Sequence, residues 1–159
     1  MREKRLEFKF YDFDGFRQVR CCLSAYLEEV LAGHPSRRII LTEIALNEAV
    51  ANALKACQEQ AGDRMSNGVK VAVYVRNREE LVLRIQDTGC GFPAAEKLKQ
   101  IEHKMCDPAL IEDDAWVESG RGLLIMRAVA DRLEFSRLGN QVSLYISLTH
   151  KSDLEARPG

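Results

Sequence analysis

From Ser36 or Arg37 to about Ala61 the chain keeps one helical rhythm, with Ile40, Ile44, Leu46, Val50 and Leu54 along it. Its apolar residues lie around much of the circumference. A helix of that kind cannot rest on a surface by one stripe, so it is expected to be central and covered on more than one side. Within it, the stretch Leu46 to Ala56 also carries Asn47, Glu48 and Asn52. Glu48 and Asn52 are four residues apart and share one face of the helix. Buried without partners, the pair would be costly. Facing a cleft, it offers a carboxylate and an amide oxygen suited to a hard cation or to proton transfer. Taken alone, such a pair reads most simply as a solvated helix face, and only the rest of the chain can say more.

The other elements follow from hydrophobic period and turn chemistry. Arg5 to Phe13 alternates, with Leu6, Phe8 and Phe10 on one side and Glu7, Lys9 and Tyr11 on the other, as a half-buried strand does. Asp14 is placed to cap a helix from about Phe16 to Ala32, which Gly33-His-Pro35 stops. After the long helix, the polar stretch Gly62 to Gly68 leads into strands Val69–Val75 and Glu80–Ile85, joined by Arg76–Glu79 as a hairpin. Residues 93–119 lack a sustained apolar stripe and read as a partly helical lid or connection. Gly120-Arg-Gly122 then opens a helix from Leu123 to about Asp131. Strands Leu133–Arg137 and Gln141–Leu148 follow, and 151–159 form a polar tail. Strands grouped in hairpins predict an α+β fold, a two-layer sandwich with a mixed, mostly antiparallel sheet and helices on one face.

Length and composition place these elements in one domain, residues 1–150. The 159 residues are 46% hydrophobic and 30% charged, with a net charge of −1. Such a balance gives no global field for nucleic acid or membrane, so neither is expected as a direct partner. No apolar run is long enough to span a bilayer. The basic start, Met1 to Arg5, runs into strand-like alternation rather than a signal-peptide core, so a cytoplasmic location is expected. Five cysteines (21, 22, 57, 90 and 106) form no paired framework and no Cys-x-x-Cys, which fits reduced thiols.

Two glycine-rich segments bring the opening pair a possible ligand. Asp87-Thr-Gly-Cys-Gly-Phe92 puts an acid at a strand end, with Gly89 and Gly91 allowing a sharp turn and close approach of a ligand. A carboxylate held there accepts hydrogen bonds and suits an exocyclic amine such as that of adenine. Glu118-Ser-Gly-Arg-Gly-Leu-Leu-Ile-Met126 precedes a helix, and free backbone N–H groups at a helix start attract phosphate. The plainer readings are an ordinary glycine turn and a helix start with Arg121 facing water. Neither segment has Rossmann or Walker spacing.

Taken in order, the helix Asn47-Glu-Ala-Val-Ala-Asn-Ala53, the box Arg84-Ile-Gln-Asp-Thr-Gly-Cys-Gly-Phe92 and the box Ser119-Gly-Arg-Gly-Leu123 resemble the Bergerat-type ATP-binding fold of the GHKL superfamily. Within it, the chain looks most like the bacterial anti-sigma-factor serine/threonine kinases, and the resemblance runs from about Leu6 to Leu148. It implies ATP and Mg²⁺ as ligands, with Asn52 on the metal and Glu48 as general base. Asp87, Gly89 and Gly91 would form the adenine pocket. Gly120, Arg121, Gly122 and Leu123 would surround the phosphates. Departures are Ala56, where that family commonly has His, and Lys55, which resembles the histidine-kinase helix motif and joins the nucleotide-binding set. Where a threonine is often found near the phosphates, this chain offers only Ser143, with Gln141 nearby. The resemblance further implies a STAS-domain substrate, a sigma factor as second partner, and a homodimer through the Leu6–Leu31 region with Tyr11 and Phe13. A histidine-kinase-like ATPase, or an ATP-binding regulatory module without transfer, remains the alternative.

Overall fold

The computed structural model describes residues 4–60, 68–87, 99 and 114–149. In chain order these give β1 (Arg5–Phe10), α1 (Phe13–Val30), α2 (Ser36–Gln60), β2 (Val69–Arg76), β3 (Glu80–Asp87), α3 (Asp114–Val129), β4 (Arg132–Phe135) and β5 (Gln141–Ser147). The strands make a five-stranded sheet in the order β1-β2-β3-β5-β4. Every neighbouring pair is antiparallel, so the α+β architecture holds and the sheet contains no parallel pair among the described residues.

Register explains which side the helices cover. One row across the strands reads Leu6, Val73, Leu83, Leu144 and Leu133, and the next reads Phe8, Val71, Ile85, Val142 and Phe135. Side chains two apart on a strand share a face. These rows therefore form one apolar wall, which joins Leu23, Leu27, Leu46, Val50, Leu54 and Met126 of the helices in a single core. Fully burying each such side chain contributes about 1.5–3 kcal/mol. On the opposite face the corresponding row is Arg5, Tyr74, Val82, Tyr145 and Arg132. Its arginines lie over its tyrosines, Arg5 at 4.7 Å from the Tyr74 ring and Arg132 at 3.9 Å from that of Tyr145. Val82 is fully buried beneath them. Long basic side chains and aromatic rings thus keep that face dry where a helix would otherwise be needed.

Local signals are satisfied, with some boundaries moved. The first strand stops at Phe10 because the chain turns at once into α1. Asp12, not Asp14, caps that helix: its carboxylate accepts from the Gly15 N–H at 2.7 Å. Asp14 lies in the first turn instead. The rings of Phe10 and Phe16 pack 5.3 Å apart across the corner. A Cβ on Gly15 would meet the Phe10 Cβ at 2.9 Å, so that corner needs glycine. In the β2–β3 hairpin, Asn77 and Arg78 take φ of 54° and 61°, and the Glu79 N–H donates to the Arg76 carbonyl at 3.1 Å. Two successive positive φ values match the twist a tight hairpin requires.

The largest departure is α3. It begins at Asp114 and ends at Val129, so Gly120 and Gly122 lie inside the helix instead of opening it at Leu123. Residues 114–119, expected to belong to the connection, are helical. Acidic residues at 112–114 suit the positive end of a helix dipole, which favours the earlier start. Interior glycines oppose it by about 1 kcal/mol each. Apart from residue 99, the rest of the expected lid lies outside the described residues, as does the tail 151–159.

Candidate nucleotide site

α2 and α3 pack against each other above the sheet, and the sequence lets them approach closely. On α2 the residues Ala45, Ala49 and Ala53 are small and buried. On α3 the opposing residue is Gly122. A Cβ built there would stand 2.8 Å from Glu48 Oε2 and 3.4 Å from Asn52 Nδ2. The two side chains expected to carry chemistry therefore both pack against Gly122, which has no Cβ to displace them. Both are partly buried, at the boundary between packed helix and solvent.

Beside them lies a cavity of about 320 Å³ counted to its open mouth. Asn52, Ala49 and Ala53 of α2 form one wall, Leu123 and Met126 of α3 another, and Ile85, Asp87, Phe135 and Val142 the sheet side. Apolar walls with an aromatic ring and a thioether suit a flat heterocycle. Asp87 is 4% exposed at the end of β3. Its N–H donates to the Asn140 carbonyl at 2.8 Å, which joins the β4–β5 turn to the cavity rim. An acid and an amide thus mark two sides of one apolar slot.

The expected residues divide clearly. Glu48 and Asn52 are brought together, and Asn52, Asp87 and Leu123 share the cavity. Lys55 and Arg121 are exposed and line no part of it. Gly120 and Gly122 sit within α3, so in this conformation the glycine pair does not present a helix N-terminus. Gly89 and Gly91, with Cys90 between them, lie outside the described residues. Ser143 is buried on the opposite sheet face, where its hydroxyl accepts from Arg84 Nε at 3.4 Å. It is therefore not the hydroxyl sought near the phosphates; Gln141 lines the cavity instead.

Sequence reasoning missed Met126, Phe135 and Asn140 as cavity residues. Met126 stands three residues after Leu123, and Phe135 falls on the inner face by strand alternation, so both carried a weak signal. Asn140 carried none, because its place depends on a hydrogen bond to a residue more than fifty positions away. Among the described residues, no helix is long and apolar enough to cross a membrane.

A family model described as the histidine kinase-like ATPase domain matches residues 14–146. No curated protein matches the chain.

Proposed function

The chain belongs to the histidine kinase-like ATPase domain family, and from that premise we propose that it is an ATP-dependent serine/threonine kinase acting as an anti-sigma regulatory factor. Its substrate in this reading is a STAS-type anti-anti-sigma protein, and a sigma factor is the second partner. The observation that carries the proposal is the convergence of Glu48 Oε2 and the Asn52 amide at Gly122, beside the cavity that Asp87 closes.

Each residue has a physical role. Asp87 and the apolar walls hold the base of the nucleotide. Asn52 would hold a Mg²⁺ ion through its amide oxygen, since its side chain lines the cavity next to the Glu48 carboxylate. Mg²⁺ keeps several waters and takes few protein ligands, and when bound it offsets phosphate charge. Glu48 accepts the proton of a serine or threonine hydroxyl as that oxygen takes the phosphoryl group and ADP departs. Small residues around the pair fix the geometry, which is most of what phosphoryl transfer asks of a protein. Tyr11 and Phe13, 53% and 43% exposed at the β1–α1 corner, support a homodimer contact there.

A second reading, ATP held as a conformational ligand without transfer, is favoured by the position of Gly120 and Gly122 inside α3. Labelled ATP, Mg²⁺ and purified STAS-domain proteins from the same genome separate the two. The kinase reading expects label on a serine or threonine, and its loss by about 10²–10⁴-fold in Glu48→Ala with nucleotide binding retained. Nucleotide binding with no label transferred by the unaltered protein would favour the binding module. Transfer undiminished in Glu48→Ala would remove Glu48 as the base.

A further inference from the structure

α2 is central, yet two of its isoleucines meet solvent. Ile40 and Ile44 are 56% and 37% exposed, while Ala45, Val50 and Leu54 on the core side are fully buried. Single exposed apolar residues need no explanation. These two, however, continue a line of Arg37, Ile40, Ile44 and Glu48 at helical spacings of three, four and four. Ile44 lies about 6 Å and Ile40 about 12 Å along the helix axis from Glu48. The stripe therefore leads straight to the carboxylate.

We propose that the stripe Arg37-Ile40-Ile44 is the docking surface for the protein that carries the phosphorylated hydroxyl, an inference that rests on the kinase reading above. The argument is one of access. A hydroxyl that gives its proton to Glu48 must come within hydrogen-bond reach of it. α3 lies against one flank of Glu48 through Gly122, and the nucleotide cavity opens on the side of Ala49, Asn52 and Ala53. Among the described residues the turns toward the start of α2 leave Ile40 and Ile44 exposed, and a folded substrate too large for the cavity must rest on them. What it meets there is two isoleucines, with Arg37 exposed on α2 and Arg121 exposed on α3 next to Gly122. The complementary surface is an apolar patch with acidic residues at its rim, close to the phosphorylated serine or threonine. Apolar anchors rimmed by charge are the usual anatomy of such contacts.

The test uses the full chain and a STAS-domain protein from the same genome that the unaltered kinase labels. In the double variant Ile40→Asp/Ile44→Asp, the KM for that protein should rise by at least about tenfold. Nucleotide affinity and the denaturant midpoint should stay unchanged, because neither side chain lines the cavity or the core. The pair Ile40→Leu/Ile44→Leu should restore the original KM. An unchanged KM in the double aspartate variant would overturn the docking claim while leaving the kinase reading intact. Lost nucleotide affinity with KM unchanged would also overturn it, and would assign the stripe to contacts within the chain. If the unaltered protein binds ATP and labels no STAS protein, the kinase reading fails and the docking surface with it.

Discussion

On its core side α2 presents Leu46, Ala49, Val50 and Leu54, none more than 3% exposed. On the side turned from the sheet, Ile40 and Ile44 meet solvent and Glu48 and Asn52 sit half-buried under Gly122. The same twenty-five-residue helix thus serves two purposes. The first side follows the rule that apolar surface is packed away, and it holds the fold. The second breaks that rule twice, with polar groups against a packed helix and isoleucines in water. Departures of this kind collect where a protein meets its ligands. Stability and function should then be separable by substitution on one element.

The sharpest separation comes from the core side. Leu54→Ala leaves a cavity at a fully buried position and should cost about 2–5 kcal/mol in a denaturant titration. The folded fraction should still bind nucleotide with unaltered affinity. Gly122→Ala works from the other side. Its Cβ would stand 2.8 Å from Glu48 Oε2, the far end of a flexible side chain that can move away. Stability should change little, whereas a shift of about 1 Å in the base can cost about 100-fold in transfer rate. A large stability loss without loss of transfer would show that Gly122 is a packing residue alone. The smallest effect belongs to a region remote from both sides. Asp12→Ala removes the cap of α1 and should lower stability by about 1 kcal/mol with transfer unchanged.

Much of this architecture was legible in local pattern. Alternation at β1, the β2–β3 hairpin and the Asp87 strand end appear where the period and turn residues place them. What escaped depends on contacts distant in sequence. Asp12 and Asp14 are equally good caps by composition, and the choice follows from the Phe10–Phe16 contact that sets where the chain turns. Ser143 looked like a candidate for the phosphate side until the register with Arg84 put it on the other face, since one step along a strand reverses the side. The glycine pair looked like a helix start, and glycine does favour helix ends. Here Gly122 lies inside α3, where a Cβ would press on the Glu48 carboxylate. The site pair itself was readable as a pair, but its ligand came only from the motifs around it.

The same register accounts for the two faces of the sheet. Leu83 and Val82 are adjacent in sequence and both fully buried. Leu83 meets the helices, whereas Val82 lies beneath the arginine and tyrosine layer of the outer face. Composition does not distinguish them; cross-strand neighbours do.

The central claim is that the open side of α2 is the ligand side, with Asn52 at its metal. The most direct measurement is the affinity for ATP with and without Mg²⁺, by calorimetric titration, in the unaltered chain and in Asn52→Ala. The account predicts that Mg²⁺ strengthens binding to the unaltered chain and that most of this gain disappears in the variant, while its unfolding midpoint is preserved. An equal Mg²⁺ dependence in both proteins would contradict it.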